Sequence, residues 1–185
     1  MARLELSEIA KDSSKEVTFA QLVRTHHGRA LSTAWRMLRG ERSAAEDVVQ
    51  DAFLKAYKGL ANFRGESELS TWFFTILIRE VRSYQRRSKL RNWLTLDRVF
   101  VSASSKPEQD VGLQKRISAA LAALTERQRT AFVLVYLEEF SLVEAGKIMG
   151  CSPGSMKSHL FRARSHMKAS LKDLGKQFDL QESES

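Results

Sequence analysis

Six cations and a single acid fall between Lys157 and Lys176, a local charge of +5. At the head of that run stand Ser155, Lys157, Ser158, Phe161 and Arg162, with Arg164 and Lys168 farther along. Short hydroxyls and long cations bond base edges and phosphate oxygens. Phe161 lies off the apolar stripe of its segment, where its ring is free to meet a thymine methyl. A second basic run, Arg79, Arg82, Arg86, Arg87, Lys89 and Arg91 against Glu80, also sums to +5. Phe63, Trp72, Phe73, Phe74 and Tyr84 crowd the same stretch, more rings than one buried face accepts. Rings among cations suit single-stranded nucleic acid, because bases stack on them while cations follow the backbone. The alternative is that the rings are core and the cations the solvated end of a helix. A third cluster, Asp47, Gln50, Asp51 and Lys55, shares one side of a helix. Either Asp51 and Lys55 form an i,i+4 ion pair, or this acidic patch in a basic protein docks on a protein partner.

Catalytic constellations are not in view. His26 and His27 are adjacent and point apart on a helix, and His159 and His166 stand about two turns apart with no acid nearby. There is no glycine-rich phosphate loop. The single cysteine, Cys151, excludes an internal disulfide and a multi-cysteine metal site, and is expected to pack, inert, beneath a helix pair. No metal, no cofactor and no small-molecule substrate are expected. The whole chain carries +8 over 185 residues with a pI near 9.8, which points to an anionic partner. No long apolar run and no basic-then-apolar leader occurs, so no membrane insertion is expected and the expected compartment is a reducing cytoplasm.

The elements that must position these groups all read as helices. With nine Gly and two Pro there are too few punctuators for a sandwich or barrel. Residues 1–16 read as a frayed lead-in. From Thr18, whose hydroxyl and the Gln21 amide make a capping box, the stripe Phe19, Leu22, Val23, His26, Ala30, Ala34, Met37, Leu38 has helical spacing. Ser43 and Glu46 make a second box, before Val49, Ala52, Phe53, Ala56, Tyr57 and Leu60. A loop over 61–67 leads to a third helix from about Leu69 to Arg87. Residues 88–110 lose the periodicity, and Trp93–Val101 is more apolar than a free linker needs. It either packs as a short element or is kept for a partner.

A second helical unit follows. Its first stripe is Ile117, Ala120, Leu121, Leu124. Thr125 and Gln128 cap a helix with Phe132, Val135 and Tyr136 inward, and Ser141 and Glu144 cap a short one with Leu142, Ala145, Ile148 and Met149 inward. Gly150-Cys151-Ser152 is a turn, and Pro153 suits the first position of a last helix. A short capped helix, a tight turn and a longer basic helix is the layout of a helix-turn-helix. The fold class is therefore all-α, with two small helical domains.

At these residues the chain resembles bacterial extracytoplasmic-function sigma factors of RNA polymerase. The resemblance rests on Ala45-Glu-Asp-Val-Val-Gln-Asp-Ala-Phe53, Phe63-Arg-Gly-Glu-Ser67 with Ser70-Thr-Trp72, Leu124-Thr-Glu-Arg-Gln-Arg-Thr-Ala-Phe132, and Phe140 through Gly150 to Arg164, in the family's order over about residues 17–175. It implies region 2 over 17–90, a flexible linker over 91–110, and region 4 over 111–175. It further implies binding to core RNA polymerase, recognition of promoter DNA as duplex and as melted strand, and control by an anti-sigma factor. Asp47, Gln50 and Asp51 then resemble the patch that docks on polymerase. Asn62, Phe63, Arg64 and Ser67 resemble the loop that captures a base flipped from the minus-ten strand, and Arg79, Arg82, Ser83, Tyr84 and Arg86 the helix face that reads and melts that element. Ser155, Lys157, Ser158, Phe161 and Arg162 resemble the minus-thirty-five readers.

Four positions depart from the family's pattern: Arg79 stands for Asn, Ser83 for Asp or Asn, Gly146 for Ala and His159 for Arg. A different class of function, a stand-alone helix-turn-helix regulator, would use the basic last helix but not the acidic patch. A helical adaptor that binds only protein would show no salt-sensitive DNA affinity.

Overall fold

In a computed structural model the chain is described over residues 2–95 and 111–172, and every regular element there is helical. The first unit is α1 (Ala2–Met37), α2 (Arg42–Gly59), a 3-10 turn (Leu60–Asn62) and α3 (Leu69–Thr95). The second is α4 (Val111–Ala123), α5 (Glu126–Phe132) continuing as a π-helical segment (Val133–Leu137), α6 (Leu142–Met149) and α7 (Pro153–Ser170).

α2 buries Ala44, Ala45, Val48, Val49, Ala52, Phe53 and Ala56. Its small side chains let α1 and α3 approach closely, and the space is filled by Phe53, Phe73, Leu77 and Leu22. The Phe53 and Phe73 rings stack at 4.5 Å. Phe74, on the next position of α3, is also fully buried, because α3 is packed on two sides. Its second neighbour comes from the other unit: the Phe140 ring lies 5.0 Å away at 65°. One apolar core thus runs from α1–α3 into Ala131, Val133, Leu134, Ala145, Ile148, Met149 and Met156. A smaller cluster of Ala120, Leu121, Leu124, Ala163 and Met167 joins α4 to α7.

The expected helix limits shift in three places. α1 begins at Ala2 rather than Thr18. No Gly or Pro precedes Gly28, and Leu, Glu, Ala and Lys carry the ladder on upstream, so the Thr18–Gln21 box is overrun. Gln21 instead accepts from Arg24 (3.1 Å). α2 starts at Arg42, one residue ahead of the Ser43–Glu46 box, and Glu46 accepts from Arg42 Nε at 2.9 Å. α3 continues to Thr95, well past Arg87, through residues of good helix propensity. Trp93 is 77% exposed on that extension. The rest of the apolar run to Val101, with residues 96–110, lies outside the described residues, as does Leu174.

The expected boxes of the second unit are present. Thr125 Oγ1 accepts from the Gln128 amide (3.4 Å), and the Thr125 amide donates to Gln128 Oε1 (3.2 Å). The Ser141 hydroxyl and amide donate to Glu144 at 2.6 and 2.9 Å and hold that carboxyl below its ordinary range. One stripe is re-aimed. The wider π turn rotates the chain end, so Tyr136 and Leu137 face outward where Tyr136 was expected inward, and Glu138 turns in instead. Leu142, expected inward, is 38% exposed at the same corner.

Among the described residues Arg129 is the largest fully buried side chain. Its guanidinium donates to the carbonyls of Leu121 (2.8 Å), Ala122, Leu124 and Met37 (each 2.9 Å). These are carbonyls at the C-terminal ends of α4 and α1, which carry the negative end of the dipole; Leu121 O also accepts from the Leu124 amide (3.2 Å) and Met37 O from Gln85 Nε2 (3.2 Å). Burial lowers the Arg129 pKa to about 10, so the group stays charged at neutral pH. Replacing it by Met leaves the Ala122 and Leu124 carbonyls without their donor, at about 1–3 kcal/mol each. Arg129→Met should therefore lower unfolding stability by at least ~2 kcal/mol in a urea titration; a loss under ~1 kcal/mol would show that water replaces the guanidinium.

His26 stacks beside Phe73, and its Nδ1 is buried with no partner among the described residues. Burial, then the Arg29 charge, pushes its pKa below 6.5. The unfolded chain thus takes a proton that the folded chain resists, and stability is lost as pH falls below 6.5. The urea midpoint should fall more between pH 7.5 and pH 5 for the native chain than for His26→Phe.

Candidate nucleic-acid interface

The helix-turn-helix is closed by Gly150 at φ 62°, whose amide reaches Lys147 O at 3.1 Å while the Cys151 amide reaches Gly146 O at 3.0 Å. Only a residue without Cβ takes that left-handed conformation at no steric cost. Gly146 itself is buried, and a Cβ there would meet Cys151 O at 3.4 Å, ordinary contact, so this close approach does not demand glycine. Ser152 Oγ then caps α7 by accepting from the Ser155 amide (3.2 Å), with Pro153 as the first helical residue. Met156, Ala163 and Met167 bury the inner stripe of α7. Ser155, Lys157, Ser158, Arg162, Arg164 and Lys168 face solvent, and Phe161 is 73% exposed. A large ring that exposed has no role in the fold, and the side chains around it are base-edge and phosphate donors.

His159 is half-buried in the same turn of α7. Burial, then the Arg127 and Arg162 charges, lowers its pKa, so it is neutral at neutral pH and adds no cation to the face.

On the first unit the expected strand-reading residues do not share one state. Arg79 and Arg86 are exposed on α3, and Asn62 and Arg64 are exposed in the loop. Phe63 and Ser67 are half-buried. Phe63 pairs with Trp72 at 5.1 Å, and Trp72 lies over the end of α2, where a Cβ on Gly59 would stand 3.3 Å from its Cζ2. The ring pair seats the loop on α3, and Gly65 at φ 72° turns it. Ser83 accepts from Arg87 (3.1 Å), and the Tyr84 hydroxyl lies 3.4 Å from Glu41 Oε2. Of the rings counted as surplus in the sequence, Phe73 and Phe74 are core, leaving Phe63, Trp72 and Tyr84 partly open. Arg82 turns away from solvent: its Nη1 donates to Met149 O (3.0 Å) on α6.

The acidic face of α2 is free of the ion pair that the sequence allowed. Lys55 Nζ reaches across to Glu80 on α3 at 2.6 Å, leaving Asp47, Gln50 and Asp51 solvent-facing. The polar groups between the units were not found from the sequence. Neither Glu138, which follows the π segment, nor Arg129 was assigned a role from the sequence. A sign of Arg129's burial was its place on the inward side of a capped helix, four residues ahead of Val133. Among the described residues no helix is long and apolar enough to cross a membrane.

Comparison with known proteins places these two units in order. Residues 22–91 match the model of Sigma-70 region 2, and residues 114–167 that of Sigma-70, region 4. The ECF RNA polymerase sigma factor EcfG of Rhodopseudomonas palustris is 36% identical over 136 residues, covering 72% of this chain and 75% of that protein. SigM of Mycobacterium tuberculosis is 29% identical over 166 residues, 90% of this chain and 82% of the relative. Among solved structures, the sigma factor RpoE of Bartonella quintana, in complex with the anti-sigma factor NepR, superposes with a TM-score of 0.73 at 31% identity, covering 84% of this chain and 97% of that one. CnrH in complex with the cytosolic domain of CnrY gives 0.64 at 26% identity, over 89% and 94%.

If α7 lies against duplex DNA, His159→Arg adds one phosphate contact. The slope of log affinity against log salt for a promoter duplex, measured by fluorescence anisotropy, should then steepen by about 0.9. An unchanged slope would set His159 away from the backbone.

Proposed function

The chain belongs to the extracytoplasmic-function RNA polymerase sigma factors, and from that premise we propose a division of labour among its exposed faces. As a sigma factor it binds core RNA polymerase and promoter DNA and directs transcription initiation; it is not an enzyme. In this reading region 2 spans 17–90, a linker 91–110 and region 4 111–175. Asp47, Gln50 and Asp51 on α2 dock on the polymerase. The loop Asn62, Phe63, Arg64 and Ser67 takes up a flipped minus-ten base, whose extraction costs a few kcal/mol that ring stacking and backbone contacts must offset. Arg79, Arg82, Ser83, Tyr84 and Arg86 follow the melted strand. Ser155, Lys157, Ser158, Phe161 and Arg162 read the minus-thirty-five element from the major groove.

The observation that carries this reading is the exposed Phe161 and its cations on the second helix of a fully capped helix-turn-helix. The acidic face of α2, with Lys55 diverted to Glu80, disfavours a regulator that works without polymerase, since such a protein has no use for it. The work is placed in the cytoplasm, and restraint by an anti-sigma factor follows from the solved relatives, which are sigma–anti-sigma complexes.

Run-off transcription with core polymerase tests the assignment. Asp51→Arg should abolish transcription from every template. Arg162→Ala should lose at least tenfold on a template that needs the minus-thirty-five element and little on one that does not. Tight duplex binding by the native chain with no polymerase-dependent transcript would favour the stand-alone regulator instead.

A further inference from the structure

The ion pairs of α2 come out opposite to what the helix alone favours. Asp51 and Lys55 stand in the better i,i+4 order, acid ahead of base, which also suits the helix dipole. Arg42 and Glu46 stand in the poorer order, base first. Yet Arg42 Nε reaches Glu46 at 2.9 Å with both side chains largely in water. Lys55 instead leaves Asp51 without an ion pair among the described residues and reaches Glu80 on α3 at 2.6 Å.

The reason is where the two competing carboxylates sit. The Glu80 side chain is 9% exposed, on the same stretch of α3 as the buried Leu77, Ile78 and Val81. Asp51 faces solvent. Water screens Asp51 and weakens its hold on a cation, whereas the attraction grows as the surroundings dry. A buried carboxylate without a partner is a stranded charge, so Glu80 holds Lys55 against the weaker local competitor. Joining α2 to α3 does not call for this pair, because Phe53 on Phe73 and the buried alanines of α2 already pack the two helices. The consequence lies on α2: with the Lys55 ammonium drawn across to α3, Asp47, Gln50 and Asp51 form an acidic surface with no cation inside it.

We propose that Glu80 is a positioning residue for polymerase docking: by holding the Lys55 ammonium on α3, it keeps Asp51 uncompensated for a cationic surface of the polymerase. The proposal rests on the docking role of Asp51 given above. Freed from Glu80, Lys55 swings back one turn to Asp51. Docking must then break that pair and bring two cations together.

The test uses the full-length chain, first alone and then with core polymerase. A zero-length carbodiimide joins a lysine amine only to a carboxylate in contact with it. Peptide mass spectrometry should find Lys55 joined to Glu80 in the native chain and to Asp51 in Glu80→Gln. Polymerase affinity, read by fluorescence anisotropy, should fall about fivefold in Glu80→Gln at low salt and less at high salt. Adding Lys55→Gln to Glu80→Gln should restore native affinity. Were Glu80 needed only for the fold, the double variant would stay as weak as the single one. Glu139→Gln adds the same charge at an exposed site on the second unit and should bind as the native chain does. Glu80→Leu, which fills the site with an apolar side chain, serves in place of Glu80→Gln if the latter loses its helical circular dichroism, and should show the same fall in affinity. A folded Glu80 variant with native affinity, or one whose loss Lys55→Gln does not repair, overturns the proposal. Asp51→Arg separates the premise. If it binds polymerase like the native chain, α2 is not the docking face and the proposal falls with it. If it abolishes binding while Glu80→Gln keeps native affinity, the docking face stands and the role of Glu80 alone fails.

Discussion

A single buried guanidinium, that of Arg129, joins the C-terminal ends of two helices that belong to different units. Its carbonyl partners on α4 set the angle at which α5 leaves the α4 turn, and its bond to Met37 O sets where that pair meets α1. An apolar residue there would leave the two dipole ends facing each other without the cation that bridges them. α5 leads in turn into the π segment, which delivers Glu138 and Phe140 to the first unit. The helix-turn-helix is hung from that corner, so the placement of its DNA-facing helix descends from one cation.

The contact between units combines two kinds of force with different consequences. Phe74 on Phe140 contributes burial that any close approach provides. Glu138 with Arg29 and Thr33 contributes little net energy relative to an apolar seam, but it makes the approach specific, because any other register strands a buried carboxylate.

Much of the molecule was legible from residue types and spacing. The boxes at Thr125 and Ser141, the Ser152 cap with Pro153, and the inward Met156, Ala163 and Met167 are all local, set by hydrogen bonds within a turn or by periodicity along one helix. The failures share a cause too. The Thr18 and Ser43 boxes were chemically sound, but a helix already running through them leaves no free amides to cap. Tyr136 was placed inward on α-helical periodicity, which a π turn breaks.

What the sequence determined by itself is therefore the helical class, the helix-turn-helix and the chemistry of the exposed faces, because caps, stripes and charge runs depend on neighbours within a few residues. Only the tertiary structure decided which charges are buried. Arg129, Glu138 and Arg82 look like any surface charge along the chain. Their state depends on carbonyls and side chains 5 to 109 positions away: for Arg129 the turn after α4 together with Met37, and for Glu138 and Arg82 groups on the other unit.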